Sequence, residues 1–354
     1  MKALILSGGK GTRLRPITHT SAKQLVPIAN KPILFYGIES IRDAGVTDVG
    51  IVVGDTEPEI RAAVGDGSAF GVKVTYIRQH APLGLAHAVK VSHDFLKDDT
   101  FVMYLGDNLI IDGITPLVDE FRRDKPNSQI LLAKVPRPEE FGVAELDGDR
   151  IVRLVEKPKQ PRSDLALVGV YMFDSTIFEA VDGIKPSFRN ELEITDAIQW
   201  LIDHGKVVHH HVIGGWWKDT GKLEDILEAN RMVLSRAKRA IHGTTDTDTR
   251  IEGDVVVGKG SVVKNSLLRG PLCLGERCVI ENAYVGPFTS IYDDVKIRNS
   301  EIEHSIVLER CTIEDIPVRI EASLIGKECT IQRSRRKPSA YRFMVGDASS
   351  VDVL

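Results

Sequence analysis

The last third of the chain carries a period that few folds can accept. Past residue 240 apolar residues recur every six positions, and the pattern resets every 17. Ile251, Leu268, Val285 and Ile302 form one column, Val257, Leu274, Ile291 and Leu308 a second, and Val263, Ile280 and Ile297 a third. Gly258 and Gly275 keep the same interval. Three hexads per cycle, each turning one side chain inward, predict a triangular parallel β-solenoid, since a repeat this small buries its apolar face only by stacking on its neighbours. Residues 251–333 read as about four to five coils of a left-handed parallel β-helix. The register fails near Glu314, where Ile313 or Ile316 must substitute.

The first two-thirds follow a different grammar. Strand candidates at 2–6, 48–53, 73–77 and 101–105 are separated by helical stretches such as 32–44 and 84–96. That βαβ rhythm predicts an α/β fold with a mostly parallel sheet and helices on both faces. In such sheets ligands collect at the carboxyl ends of strands, where both the GGKGTR loop and the LGDN turn fall. The division expected is a catalytic domain over 1–240, a β-helix over 241–333 and a C-terminal tail over 334–354. The segment RAKRAIHGTTDTDT reads as a helix end and connector between the first two.

The opening KALILSGGKGTRLRP is built to hold a triphosphate. Gly8, Gly9 and Gly11 let the backbone turn sharply after the first strand and expose its N–H groups to an anion. Arg13, Arg15 and Lys23 add fixed positive charge where phosphate oxygens accept hydrogen bonds. The loop matches neither standard phosphate motif: it lacks the Gly-Lys-Ser/Thr ending, and Leu14 stands where the dinucleotide fingerprint has its third glycine. Arg15 and Lys10 read best as solvated surface residues.

Composition narrows the partners. With 46 Lys+Arg against 50 Asp+Glu the net charge is −4, so no overall basic field favours nucleic acid, and a small-molecule substrate is expected. The apolar run after Met1 is too short for a signal peptide and no segment reads as a membrane span, so a cytoplasmic location is expected. The open ends and flat sides of a solenoid lead to the expectation of a homo-oligomer. Cys273, Cys278, Cys311 and Cys329 lack metal-ligand pairing and read as small buried or half-buried hydrophobes in a reducing compartment.

The string GGKGTRLRPIT–HTSAKQLVPIANKPILFY resembles the signature of the sugar-1-phosphate nucleotidyltransferases, and its KQL form most resembles glucose-1-phosphate thymidylyltransferases. RQHAPLGLAHA, YLGDN, FGVAEL, VEKP, RNELEITD and WWKDTG follow in the family's order. The resemblance covers residues 1–240, and the rest looks like the family's longer branch. It implies a Rossmann-like nucleotidyltransferase domain that transfers a thymidylyl group from dTTP to glucose 1-phosphate, with a UTP-using relative as the alternative. By the same resemblance Asp107 and Asp219 hold a catalytic Mg²⁺, an ion that prefers hard oxygen ligands. Arg13, Lys23 and Lys157 neutralise phosphates of nucleotide and sugar. Gly8, Gly9, Gly11, Thr12, Gln24, Gln79, Gly84, Asp107 and Arg189 contact the nucleotide, Gln79 and the Gly84 backbone reading the thymine edge. Asn108, Gly142, Glu156, Lys157 and the backbone around Val168 hold the sugar. Leu83 departs from the acidic residue that shorter relatives often carry.

Two features invite overreading. His209, His210 and His211 point to alternate faces if they lie on a strand, which keeps all three from one metal. Of Trp216 and Trp217, one is expected in the core and the other beside the crevice. Two other functions fit the chain less well. An acyltransferase on the β-helix would have His304 as its only repeat histidine, and retention of Arg13, Lys23, Asp107, Lys157 and Asp219 argues against a non-catalytic regulatory subunit.

Overall fold

The structure, a computed structural model, describes residues 1–9, 11–19, 22–335, 337 and 340–353. It contains two compact units. The first comprises Met1–Lys10, Ser21–Leu25 and Ile33–Asp219, and the second Gly11–Thr20, Val26–Pro32 and Thr220–Leu354. The division falls at Asp219, some twenty residues ahead of the change in sequence grammar. The helix Leu223–Leu234 explains why. Its fully buried Asn230 accepts hydrogen bonds from the Ala29 N–H (2.8 Å) and the Ser290 hydroxyl, and donates to the Phe288 carbonyl (2.9 Å). These bonds tie the helix to coil residues and to the hairpin Pro27–Pro32 of the same unit.

In the first unit a nine-stranded sheet carries the strand Lys2–Ser7 at its centre. Lys2–Ser7 pairs in parallel with Asp48–Val53 on one side and Phe101–Leu105 on the other, and Lys73–Arg78 extends the parallel set. Beyond Phe101–Leu105 the strand Leu165–Phe173 runs antiparallel, so the sheet is mixed. Residues alternate across it as a two-residue period requires. Ala3 and Ile5 join one core with Leu34 and Ile38 of the helix Ile33–Asp43, while Leu4 and Leu6 join another with Ala86 and Val89 of Leu85–Val91. With both faces covered, each fully buried Leu or Ile contributes on the order of 1.5–3 kcal/mol. The helix expected over 84–96 is two, Leu85–Val91 and His93–Leu96, broken where the Ser92 hydroxyl donates back to the Ala88 carbonyl at 2.7 Å. His211 of the strand Val208–Val212 lies 3.3 Å from Glu120, while Asp149 acts on His210.

The second unit stacks short strands into three parallel sheets of six, six and five, the layout of a left-handed β-helix. Ile251, Leu268, Val285 and Ile302 form one column and Val263, Ile280 and Ile297 another, as the period predicts. Two details depart from it. Ile291 pairs with Val307, not Leu308, because the coil is one residue short there. Ile313 takes the place after Ile297, and two extra residues before Ile320 restore the alignment. Coiling also starts earlier than expected: Ala240–Ile241 and Thr244–Thr245 of the supposed connector pair with Val255–Val257 and Val262–Lys264.

Corners repeat like the columns. Asn265, Asn282, Asn299 and Asp315 all take positive φ of 44–58°, a conformation Asn and Asp tolerate better than most residues. Their side chains form a ladder, Asn265 to Asn282 (3.2 Å), Asn282 to Asn299 (2.8 Å) and Asn299 to Asp315 (2.7 Å). Cys273, Cys278 and Cys311 are buried and Cys329 half-buried, all as free thiols. Burial pushes Cys273 up to about 12, which keeps it protonated.

Candidate active site

Within the first unit three strands end with almost no side chain between them. A Cβ on Gly54 would stand 3.2 Å from the Gly8 carbonyl, and one on Gly106 3.0 Å from the Leu6 carbonyl. The glycine turn and the turn carrying Asp107 thereby approach closer than larger residues allow. Gln24, only 2 % exposed, lies under that turn, its amide nitrogen 3.8 Å from where a Gly9 Cβ would be.

Asp107 and Asp219 meet because the two-stranded ribbon of Asn108–Ile110 and Trp217–Asp219 sets Asp219 opposite Asn108. Lys23 joins them, its ammonium hydrogen-bonded to Asp107 and 3.6 Å from Asp219 Oδ1. Burial alone would raise the Asp107 carboxyl, but the Lys23 charge and hydrogen bonds from Lys23 and Asn108 outweigh it and hold Asp107 below the usual carboxylate range. Burial would likewise lower Lys23, yet the two aspartates raise it. Lys23 and Asp107 are therefore both charged at neutral pH. Side-chain exposure rises from 11 % at Lys23 through 23 % at Asp107 to 36 % at Asp219, so the cluster opens on the Asp219 side. Half-burying charge costs desolvation energy, which stability alone does not justify.

Asn108 orients this cluster. Its Oδ1 accepts from Trp217 Nε1 (2.6 Å) and the Gly169 N–H (3.3 Å), leaving Nδ2 to donate to Asp107 Oδ1 (3.1 Å). Trp217 thus packs against the core and serves the site together. Gly169 sits where pairing of Leu165–Phe173 with Ser128–Lys134 is interrupted, which frees the backbone next to fully buried Val168.

A second cluster surrounds Glu156 at the end of Arg150–Glu156. Glu156 Oε2 accepts from the Thr195 hydroxyl (2.7 Å), and Oε1 lies 3.8 Å from Lys157 Nζ and 3.5 Å from Arg189. Gly142 is glycine for a reason of space, since a Cβ there would stand 2.8 Å from Thr195 Oγ1. Arg189 belongs to this group, within 3.5 Å of Glu156, Glu191 and Glu193. Burial, then the neighbouring Glu156 charge, push Glu193 and Asp196 above the usual range. The segment around Leu192 reaches the glycine-side loop as well: Leu192 donates its N–H to the Leu83 carbonyl (2.7 Å). At Gly84, with φ of 105°, a Cβ would collide with the Leu192 carbonyl at 2.3 Å.

Gly11 and Arg13 fall in the second unit. Gly11 adopts a left-handed φ of 60° ahead of the turn Thr12–Leu14, and Arg13 is exposed, without an ion pair among the described residues. Lys10 and the Thr12 side chain lie outside the described residues. Sequence reasoning missed Thr195 and Glu193, although both lie in RNELEITD, and their signal was a buried hydroxyl and acid at the start of the helix Ile194–Asp203.

The donor set suits a divalent metal. Asp107 and Asp219 already face one cation, the Lys23 ammonium, and two carboxylates with open positions for substrate oxygens match the hard-ligand preference of such ions. Among the described residues no group of three or more His, Cys, Asp or Glu side chains is arranged to hold a metal.

Comparison with known proteins gives the same picture. The family described as Nucleotidyl transferase matches residues 2–236. The chain is 54 % identical over 354 residues to a glucose-1-phosphate thymidylyltransferase of Streptomyces griseus, covering 100 % of this chain and 99 % of that one. It is 56 % identical over 355 residues to one of Streptomyces antibioticus, with the same coverage. A solved Bacillus anthracis structure, described as a glucose-1-phosphate thymidylyltransferase in complex with a sucrose, is similar with a TM-score of 0.62 and 38 % identity, covering 66 % of this chain and 94 % of that chain.

Proposed function

The chain belongs to the nucleotidyl transferase family, and from that premise we propose that it transfers the thymidylyl group of dTTP to glucose 1-phosphate, giving dTDP-glucose and pyrophosphate. The observation that carries this reading is the meeting of Lys23, Asp107 and Asp219 at the strand ends beside the glycine turn. A phosphate oxygen of glucose 1-phosphate attacks the α-phosphorus in line, a new P–O bond forms, and the bond to the β-phosphate oxygen breaks. No protein nucleophile is required, so catalysis rests on positioning and charge neutralisation.

Lys23 sits among the reacting phosphates and Arg13 neutralises the leaving pyrophosphate. Asp107 and Asp219 would hold Mg²⁺, which when bound supplies charge stabilisation to phosphate oxygens. Asn108 keeps the Asp107 carboxylate in place through its Nδ2 bond. Glu156, steadied by Thr195, accepts from sugar hydroxyls, and Lys157, whose ammonium lies 3.8 Å from Glu156 Oε1, holds the sugar phosphate. Turnover assayed with each nucleoside triphosphate and glucose 1-phosphate tests the reading. dTTP is expected to be fastest and UTP weaker, the base methyl accounting for about tenfold or somewhat more. Faster turnover with GTP, ATP or CTP would overturn it.

A further inference from the structure

Gln79 follows the strand Lys73–Arg78, and its side chain lies against the first turn of the helix Leu85–Val91. Its Nε2 is 3.2 Å from the Gly84 carbonyl and 3.0 Å from His87 Nδ1. A carbonyl can only accept, so the amide atom facing Gly84 must be the nitrogen. That nitrogen has protons to give, so Nδ1 of His87 must be the bare ring nitrogen. Burial, then the nearby Lys90 charge, lower the His87 pKa and favour this neutral form. Both amide protons are then used within the protein. Oε1 is left as an acceptor beside the glycine turn, 3.5 Å from where a Gly8 Cβ would be, and nothing among the described residues donates to it. The Gly84 N–H likewise has no acceptor among the described residues.

We propose that His87 is a specificity-determining positioning residue: by accepting from Gln79 it fixes the amide so that the site presents an acceptor, Gln79 Oε1, next to a donor, the Gly84 N–H. This rests on the reading that Gln79 faces the base. The pair complements an N–H beside a carbonyl, as on the 2,4-dione edge of thymine or uracil. Cytosine, whose ring nitrogen at that position is an acceptor, meets a second acceptor instead. Without His87 one amide proton loses its partner, and only the Gly84 carbonyl still holds the amide against turning its nitrogen toward such a base.

The test uses the full chain with His87→Leu, His87→Phe and His87→Asn, reading the dTTP KM and the inhibition constant of dCTP against dTTP, with melting temperature as the folding check. Removal of the acceptor in the Leu and Phe variants is expected to lower the ratio of dCTP inhibition constant to dTTP KM about tenfold, the scale of one hydrogen bond, with kcat changed less. The Asn variant, whose Oδ1 restores an acceptor, is expected to stay within about twofold of wild type. Leu and Phe variants that keep the wild-type ratio, or an Asn variant as permissive as Phe, would overturn the proposal. A Gln79→Leu control separates the two claims: if it leaves base selection intact, the placement of Gln79 at the base is wrong, and if it abolishes selection while His87 variants do not, only the role of His87 falls.

Discussion

The two units use charge in opposite ways. In the β-helix, Arg277 pairs with Asp294 one coil on (2.8 Å) and Arg310 with Glu328 (2.8 Å), all exposed and repeated from coil to coil. In the sheet unit, Lys23, Asp107 and Asp219 form one half-buried cluster, and Glu156, Lys157, Arg189, Glu191 and Glu193 form another in which three carboxylates crowd one guanidinium. Exposed pairs are screened and individually worth little, so the solenoid draws its stability from apolar columns and from each coil on its neighbour. Half-buried clusters cost desolvation and are kept where substrate charge completes them. Repetition spreads charge pairs evenly from coil to coil, and a break in repetition gathers charge into a site.

The sharpest way to break that comparison is at the aspartates. Asp107→Asn or Asp219→Asn keeps size but removes a negative ligand, and turnover should fall by about 100-fold or more while the melting temperature changes little. Near-normal kcat in both variants at limiting Mg²⁺ would show that the cluster is structural, like the ladders. The converse substitution lies in the solenoid. Ile280→Ala hollows the column Val263, Ile280 and Ile297 and should cost about 2–5 kcal/mol in a denaturant titration, with kcat/KM kept within about twofold below the transition. A large loss of kcat/KM in the folded variant would mean that the solenoid contributes to the chemistry.

The smallest effect separates the units by pH. The Arg277 hydrogen bond holds Asp294 below its ordinary 3.8, and a depressed acid contributes stability that is present above that value and lost as pH falls through the lower folded value. Glu193 and Asp196 are raised by burial, so the folded state binds their protons more readily and gains stability as pH falls toward their ordinary 4.5 and 3.8. The Asp294→Asn variant should show a shallower loss of stability below about pH 4 than the parent, and Glu193→Gln a shallower gain as pH falls toward 4.5. Identical pH profiles for parent and variants would remove the electrostatic half of the comparison.

What the sequence determined by itself was whatever repeats or reads locally: the 17-residue columns, the strands 48–53 and 101–105, and the glycine turn at a strand end. A side-chain period is a property of neighbouring residues and survives without knowledge of the fold. The tertiary structure alone decided the pairings across long stretches of chain. Val307 takes the column place predicted for Leu308 because the coil is one residue short there, which only strand pairing reveals. Thr195 reaches Glu156 across 39 residues, and Asp219 reaches Lys23 across a ribbon whose strands are about a hundred residues apart. His87 acquires its role only once folding sets its Nδ1 and the Gly84 carbonyl together against the Gln79 amide. Such roles depend on which donor finds which acceptor after folding, and a linear pattern does not carry that information.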